Sequence, residues 1–192
     1  RQKLIKKHCY ATELPIIYLN LVGGQDDMVF DGGSFAYDKN GKIVEQLPQF
    51  KEVTKHLIFE KPSRSLGSLA GRPDVKALSE LNQDYEALVM GLRDYVIKSK
   101  FEKVVLGLSG GVDSALVAVI AKDALGSENV LCVALPSKFN SSSSLADAQS
   151  LADNFSLKFK VLNIDSMVDV SEEVLSSVFD GRERDITEEN IQ

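Results

Sequence analysis

Hydrophobic residues are spaced in two different ways along this chain. Up to about residue 60 they come in short runs broken by glycine and aspartate. After residue 75 they come in longer blocks that alternate between helical and strand spacing. Leu78, Leu81, Tyr85, Leu88, Leu92 and Val96 recur at gaps of three and four, which predicts a helix with one buried stripe, capped by Asp74 and ending before Phe101. A strand follows at Val104 to Leu108, then a small-residue helix over Ala115 to Ala124 that closes at Gly126. Next come a strand at Val130 to Leu135, a helix at about Leu145 to Phe155, a strand at Leu157 to Ile164 and a helix near Val168 to Phe179. Apolar strands alternating with helices predict an α/β fold with a doubly wound parallel sheet, right-handed crossovers and a ligand beyond the carboxyl ends of the strands.

The first sixty residues read differently. Leu4, Ile5, His8 and Cys9 share one side of a starting helix, and Ile16 to Leu19 is strand-like. Asn20 to Gly24 reads as a turn followed by Asp26-Asp27, Met28 to Phe30 as a strand, and Asp31-Gly32-Gly33 as another turn. Ser34 to Tyr37 and Lys42 to Gln46 flank Asp38-Lys39-Asn40-Gly41, a hairpin signal. Gly23, Gly24 and the Asp31-Gly33 turn read first as plain turn chemistry and second as a wall or subunit interface. Gln25 to Asp27 reads as a solvated turn rather than a metal site. Residues 61–73 are rich in Ser, Gly and Pro. The expected organisation is one region over 1–60, a linker over 61–74 and a second region over 75–192. The serine run Ser141 to Ser144, after Pro136, reads equally as a linker or as a loop touching a ligand.

The chemistry concentrates at Gly107-Leu108-Ser109-Gly110-Gly111-Val112-Asp113-Ser114, between a strand and a helix. Glycine lets the backbone approach an anion, and the new helix offers unpaired N–H groups at the positive end of its dipole. Ser109 and Ser114 add hydroxyl donors. Asp113 would repel phosphate unless a cation lay between them, which points to Mg²⁺ held by Asp113. A turn that merely needs glycine would carry neither the serines nor the aspartate. The stretch is not a Walker A loop, since no lysine follows the glycines, and it lacks the G-x-G-x-x-G dinucleotide fingerprint.

Ser109-Gly110-Gly111-Val112-Asp113-Ser114 resembles the pyrophosphate loop of the N-type ATP pyrophosphatases, which have the adenine nucleotide alpha hydrolase-like fold and cleave ATP to AMP and pyrophosphate while activating an acceptor. The loop alone leaves NAD, GMP, asparagine and argininosuccinate synthetases and tRNA-thiolating enzymes open. Three further stretches bear on the choice. Tyr18 to Ser34, containing Val22-Gly23-Gly24-Gln25-Asp26 and Phe30-Asp31-Gly32, resembles the late part of the nitrilase-like glutaminase domain of glutamine-dependent NAD synthetases. Asp185 to Gln192 is similar to the segment of that family that contacts deamido-NAD. Leu135-Pro136-Ser137-Lys138-Phe139 and the serines after it resemble a family loop beside ATP.

The resemblance implies that 1–60 is the tail of a nitrilase-like α/β domain and that 75–192 is the first part of a NAD synthetase domain. It implies ATP at Gly107, Leu108, Ser109, Gly110, Gly111, Val112, Asp113 and Ser114, Mg²⁺ at Asp113, and deamido-NAD at Asn190. A helix-start role in Thr187-Glu188-Glu189-Asn190 is the plainer reading of that last residue. The implied reaction is ATP-dependent amidation of deamido-NAD to NAD, with release of AMP and pyrophosphate and with ammonia free or from glutamine. The glutaminase Glu, Lys and Cys are expected upstream of Arg1, so no catalytic residue is assigned here, and the chain is expected to be an internal piece of a longer polypeptide.

Composition narrows the alternatives. The 192 residues are 44% hydrophobic and 26% charged, with a net charge of −6. An acidic balance without a basic patch argues against nucleic acid as partner, and so against the tRNA-thiolating branch. Cys9 and Cys132 have no metal spacing and read as small core residues; His8 beside Cys9 points elsewhere on a helix. With no disulfide framework, signal peptide or transmembrane-length run, a cytoplasmic protein without membrane contact, assembled as a homo-oligomer, is expected. A GMP synthetase-like enzyme and an inactive assembly fragment remain as the other readings.

Overall fold

The computed structural model describes residues 1–60, 68–69, 71, 75–76, 78–137 and 142–179. The chain divides into two compact units, Arg1–Tyr95 and Val96–Gln192.

In the first unit, helix α1 (Gln2–Thr12) leads to strand β1 (Ile16–Tyr18), and the hairpin β2 (Val22–Gln25) and β3 (Met28–Asp31) is followed by β4 (Phe35–Tyr37) and β5 (Ile43–Gln46). Strands β1, β4 and β5 form an antiparallel sheet in the order β1-β4-β5. Its core is Cys9, Phe35 and Tyr37, closed by Ile5, Ile16, Tyr18 and Ile43. The Tyr18 and Phe35 rings stack at 5.0 Å, and Tyr37 meets Phe35 edge-on at 5.5 Å. The turn between β4 and β5 forms where expected. Asp38 Oδ1 accepts the Asn40 and Lys42 N–H groups at 2.9 and 2.8 Å, and Gly41 takes the positive φ of 68°.

The segment 20–24 departs from expectation. Val22–Gln25 is a strand paired with β3, and the reversal falls at Asp26-Asp27, where Asp26 adopts φ 51°. Two glycines suggest a turn, yet here they lie inside a strand, paired with Phe30 and Val29 across the hairpin, and Gly91 and Asp94 pack closely against Gly24. Of the expected linker, 61–67, 70 and 72–74 lie outside the described residues. Ser68–Leu69 (β7) forms a short antiparallel ladder with Phe59–Glu60 (β6).

Helix α2 (Glu80–Lys98) forms, but its expected stripe is only partly buried. Val96 is buried and Leu78, Tyr85 and Leu92 half-buried, whereas Leu81 and Leu88 are 77% and 55% exposed. The inward face is set by Met90, Gly91 and Asp94 instead. Spacing identified the helix correctly. It missed Gly91 and Asp94 because a glycine and a carboxylate do not count as core residues in a hydrophobic pattern.

The second unit follows the expected alternation: β8 (Val104–Gly107), α3 (Val112–Leu125), a 3₁₀ turn (Ser127–Asn129), β9 (Val130–Ala134), α4 (Ser142–Asn154), β10 (Lys158–Val161) and α5 (Asp165–Phe179). The three strands are parallel in the order β10-β9-β8. Ala118, Ala121 and Ala124 of α3 and Ala148 and Ala152 of α4 are buried with Val130, Cys132 and Ala134 of β9. Alanine at these positions lets a helix lie close to a sheet. Among the described residues no helix is long and apolar enough to cross a membrane.

Candidate active site

The carboxyl ends of β8 and β9 open into a cleft of about 250 Å³. Its walls are the end of β8 through Ser109, the end of β9 through Pro136, Ser144 and Leu145 of α4, and Ile164 after β10. This is the position that a parallel sheet makes available, because each strand ends there and each following helix begins there.

The strand-to-helix loop is built from short-range polar contacts. Ser109 N–H donates to Ser114 Oγ at 3.2 Å, the two hydroxyls lie 3.1 Å apart, Gly111 N–H donates to Ser109 Oγ at 3.3 Å, and Ser114 Oγ–H donates to Gly111 O at 3.1 Å. Gly111 caps α3 with extended backbone (φ −80°, ψ 159°) and offers no side-chain acceptor to the helix amides. Those amides and the serine hydroxyls therefore border the space where an anion would sit. Asp113 is exposed in the first turn of α3.

Gly110 is the most constrained residue of the loop. Its φ is 85°, and a Cβ there would run into the carbonyl oxygen of Ser144, with the Ser144 carbonyl carbon 2.9 Å away. The loop is thus fitted against the first turn of α4. The run Ser142 to Ser144 is helix at this point, not linker, and Ser144 lines the cleft. Residues 138–141 lie outside the described residues, as do Asp185 to Gln192, so the assignment of Asn190 has no structural counterpart here.

The eight loop residues differ in what they contribute. Gly107 ends β8, and among the described residues nothing lies within 4 Å of where its Cβ would be. Leu108 is 1% exposed, and its N–H donates to Val133 O at 2.9 Å, so it anchors the loop in the core. The side chain of Val112 is exposed. Pro136 belongs to the stretch that resembles a family loop beside ATP, and it lines the cleft, whereas Leu145 and Ile164 were not singled out as site residues from the sequence. Their signal was positional: each lies just after a predicted strand or at the start of a predicted helix.

Both thiols are buried, which pushes them above the usual range; the charge of Asp38 adds to this at Cys9. His8 is exposed. Neither cysteine has the character of a nucleophile.

A cation at Asp113 fits the site's donor set. Among the described residues there is no group of three or more His, Cys, Asp or Glu able to cage a metal. Mg²⁺ needs no such cage, since it is commonly held by one or two carboxylates together with substrate phosphates.

Comparison with known proteins identifies this architecture. The NAD synthase family model matches residues 84–192, more than half of the chain. The chain belongs to the NAD synthase family. It is 47% identical over 193 residues to a glutamine-dependent NAD(+) synthetase of Rhodobacter capsulatus, which covers all of this chain and 35% of that protein. A glutamine-dependent NAD(+) synthetase of Synechocystis is 40% identical over 194 residues, again covering all of this chain and 34% of that protein. Among solved structures, a glutamine-dependent NAD+ synthetase from Acinetobacter baumannii in complex with ADP superposes with a TM-score of 0.91 at 38% identity, covering all of this chain and 36% of that one. The chain thus spans about a third of the length of these relatives. The NAD synthase match selects one branch among the pyrophosphate-loop enzymes, and the likeness over residues 1–83 extends the relationship to the region before the match.

Proposed function

We propose that this chain forms part of a glutamine-dependent NAD synthetase, in which the β8–α3 loop binds the triphosphate of ATP while the carboxylate of deamido-NAD is converted to an amide. The observation that carries this reading is the loop itself. A Ser-Gly-Gly-x-Asp-Ser turn lies at the carboxyl end of a parallel sheet, in a chain that matches NAD synthase. Deamido-NAD carboxylate would attack the α-phosphorus of ATP, giving an adenylate and pyrophosphate, and ammonia would then displace AMP. Ser109, Gly110, Gly111 and Ser114 would hold the departing pyrophosphate through hydroxyls and main-chain N–H groups, where they stabilise developing charge. Asp113 would hold Mg²⁺, which supplies charge neutralisation for the leaving group. The cleft between the ends of β8 and β9, with its apolar walls at Leu135, Leu145 and Ile164, suits a flat base more than a charged group. Ammonia would come from glutamine, hydrolysed by residues outside this chain.

The test is pyrophosphate release from ATP by the full-length polypeptide, with and without deamido-NAD. Release that depends on deamido-NAD, with NAD formed in equal amount, supports the reading. Asp113→Ala is expected to lower it by about 100-fold or more, the scale of losing a group that stabilises transition-state charge. Release that ignores deamido-NAD, or an Asp113→Ala variant with wild-type turnover, would refute it.

A further inference from the structure

Among the residues that wall the cleft, Ile164 stands where a helix start would prefer a polar side chain. We propose that Asn163 is a positioning residue for the nucleotide: it fixes Ile164 at the far wall of the cleft and so sets how tightly the base end of ATP is held. The proposal rests on the function proposed above and names the residue that maintains one end of that site.

The backbone at Ile164 changes role within one residue. Strands β9 and β10 pair in parallel up to Ala134 and Val161. The ladder then runs on past both strands: Leu162 N–H donates to Ala134 O at 2.9 Å, and Ile164 N–H donates to Pro136 O at 3.1 Å. The carbonyl of the same Ile164 accepts Met167 N–H at 2.9 Å and Val168 N–H at 3.0 Å, which opens α5. Ile164 thus belongs to the sheet through its N–H and to the helix through its C=O. Val168, 3% exposed, anchors the first turn.

Position 164 is therefore the N-cap of α5. Ser, Thr, Asp or Asn is preferred there, because a side-chain oxygen accepts one of the free helix amides. Isoleucine has no such oxygen, and the residue before it takes over the task. Asn163 Oδ1 accepts Asp165 N–H at 2.9 Å, and Asn163 Nδ2 donates to Asp165 Oδ2 at 2.8 Å. An amide side chain suits this place because it accepts at one atom and donates at the other. A helix start built for stability alone would carry the oxygen at 164 itself. What the exchange leaves at 164 is an apolar side chain lining the cleft with Pro136. A local rule set aside in this way marks a position where the site, rather than the helix, dictates the residue.

Sheet order puts this wall away from the anion loop. Ile164 follows β10 and Ser109 follows β8, on opposite sides of β9. Two strand spacings, roughly 10 Å, separate the two strand ends. With the triphosphate at Ser109 to Ser114, Ile164 stands at the base end. Loosening Asn163 therefore weakens the hold on the base and leaves the phosphate end as it was.

The experiment uses the full-length enzyme and follows pyrophosphate release from ATP in the presence of deamido-NAD, with adenosine and inorganic pyrophosphate as separate inhibitors. In Asn163→Ala the KM for ATP and the inhibition constant of adenosine should each rise about tenfold, the scale of one lost hydrogen bond. The turnover number and the inhibition constant of pyrophosphate should stay within about twofold of wild type, since only ground-state holding of the base is lost. Asn163→Ser keeps an acceptor for Asp165 N–H and should bring adenosine back to within about threefold of wild type. Asn163→Asp also keeps that acceptor but sets a second carboxylate against Asp165, and should stay near the alanine value. Equal weakening of adenosine and pyrophosphate, unchanged adenosine inhibition, or a serine variant no better than alanine would overturn the proposal. If the alanine variant fails to fold, equal adenosine inhibition in the serine and aspartate variants overturns it as well. A wild-type enzyme that releases no pyrophosphate from ATP, or that adenosine does not inhibit, would instead overturn the reading of the cleft on which the proposal rests.

Discussion

Gly110 and Gly111 are neighbours in the same loop, yet the structure assigns them opposite sensitivities. At Gly110, alanine faces two penalties. Its φ of 85° belongs to the left-handed side, which costs an L-residue about 1–2 kcal/mol. Its methyl would also meet the Ser144 carbonyl, an overpacking cost of about 1–3 kcal/mol, reduced to the extent that the first turn of α4 can shift. Together these come to about 2–4 kcal/mol. At Gly111 the backbone is extended, and the new methyl would touch only Ser109 Oγ, at 3.4 Å. The stability change there should stay within about 0.5 kcal/mol, the small gain from a stiffer unfolded chain offsetting the poorer cap. Thermal unfolding of the ligand-free protein reads the difference: Gly110→Ala should lower Tm by roughly 4–16 °C, at about 2–4 °C per kcal/mol for a chain of this size, and Gly111→Ala by roughly 2 °C or less. ATP binding then separates fold from function. Gly111→Ala should stay folded but bind ATP more weakly than wild type, because its methyl sits at the start of α3 beside the amides proposed to hold the triphosphate. Equal Tm losses in the two variants, or none at Gly110, would refute the assignment of Gly110 to the α4 contact.

Two other outcomes follow from burial. Leu108→Ala removes a side chain that is 1% exposed and should destabilise the second unit by about 2–5 kcal/mol, seen as an earlier urea transition, without altering the Ser109–Ser114 contacts. Burial raises the Cys9 thiol and the Tyr37 phenol, the latter helped by Cys9 itself. A group with its folded pKa raised lends its full stability below the unfolded pKa and loses it as pH rises through the folded one. The urea midpoint should therefore be flat up to about pH 8 and fall above about pH 9, and Cys9→Ala with Tyr37→Phe should flatten that fall. A fall of the same steepness in the double variant would refute the assignment.

The parallel half was legible because its signal is local and repeated. Val104 to Leu108 and Val130 to Leu135 are largely apolar runs of strand length, Leu157 to Ile164 alternates apolar residues with Lys158 and Lys160, and each is followed by a helix-length segment. Boundaries moved by a few residues: α4 begins at Ser142 rather than Leu145, since a serine run reads as loop by propensity. The first half was harder to read for a physical reason. Gly23 and Gly24 are strand residues paired with Phe30 and Val29, and Asp94, seventy residues later, bonds to Gly24 and packs beside both. Propensity assigns glycine to turns, and strand pairing together with tertiary contact overrides it. The same contact accounts for the inward Gly91 and Asp94, which a hydrophobic stripe does not include.

The β8–α3 loop shows the same division between local and distant causes, with a different balance. Its residue types alone pointed to an anion, since serine hydroxyls, glycines and a helix start are the groups phosphate needs. The local contacts among Ser109, Gly111 and Ser114 lie within six residues and could be anticipated from spacing. What spacing could not supply is the reason that Gly110 must be glycine. Phosphate binding alone would favour close backbone approach at either glycine. The structure gives Gly110 a separate requirement, contact with Ser144 on a helix that follows the neighbouring strand. One residue thus joins the loop after β8 to the end of the cleft formed after β9, so the two walls of the proposed nucleotide site are held together by packing.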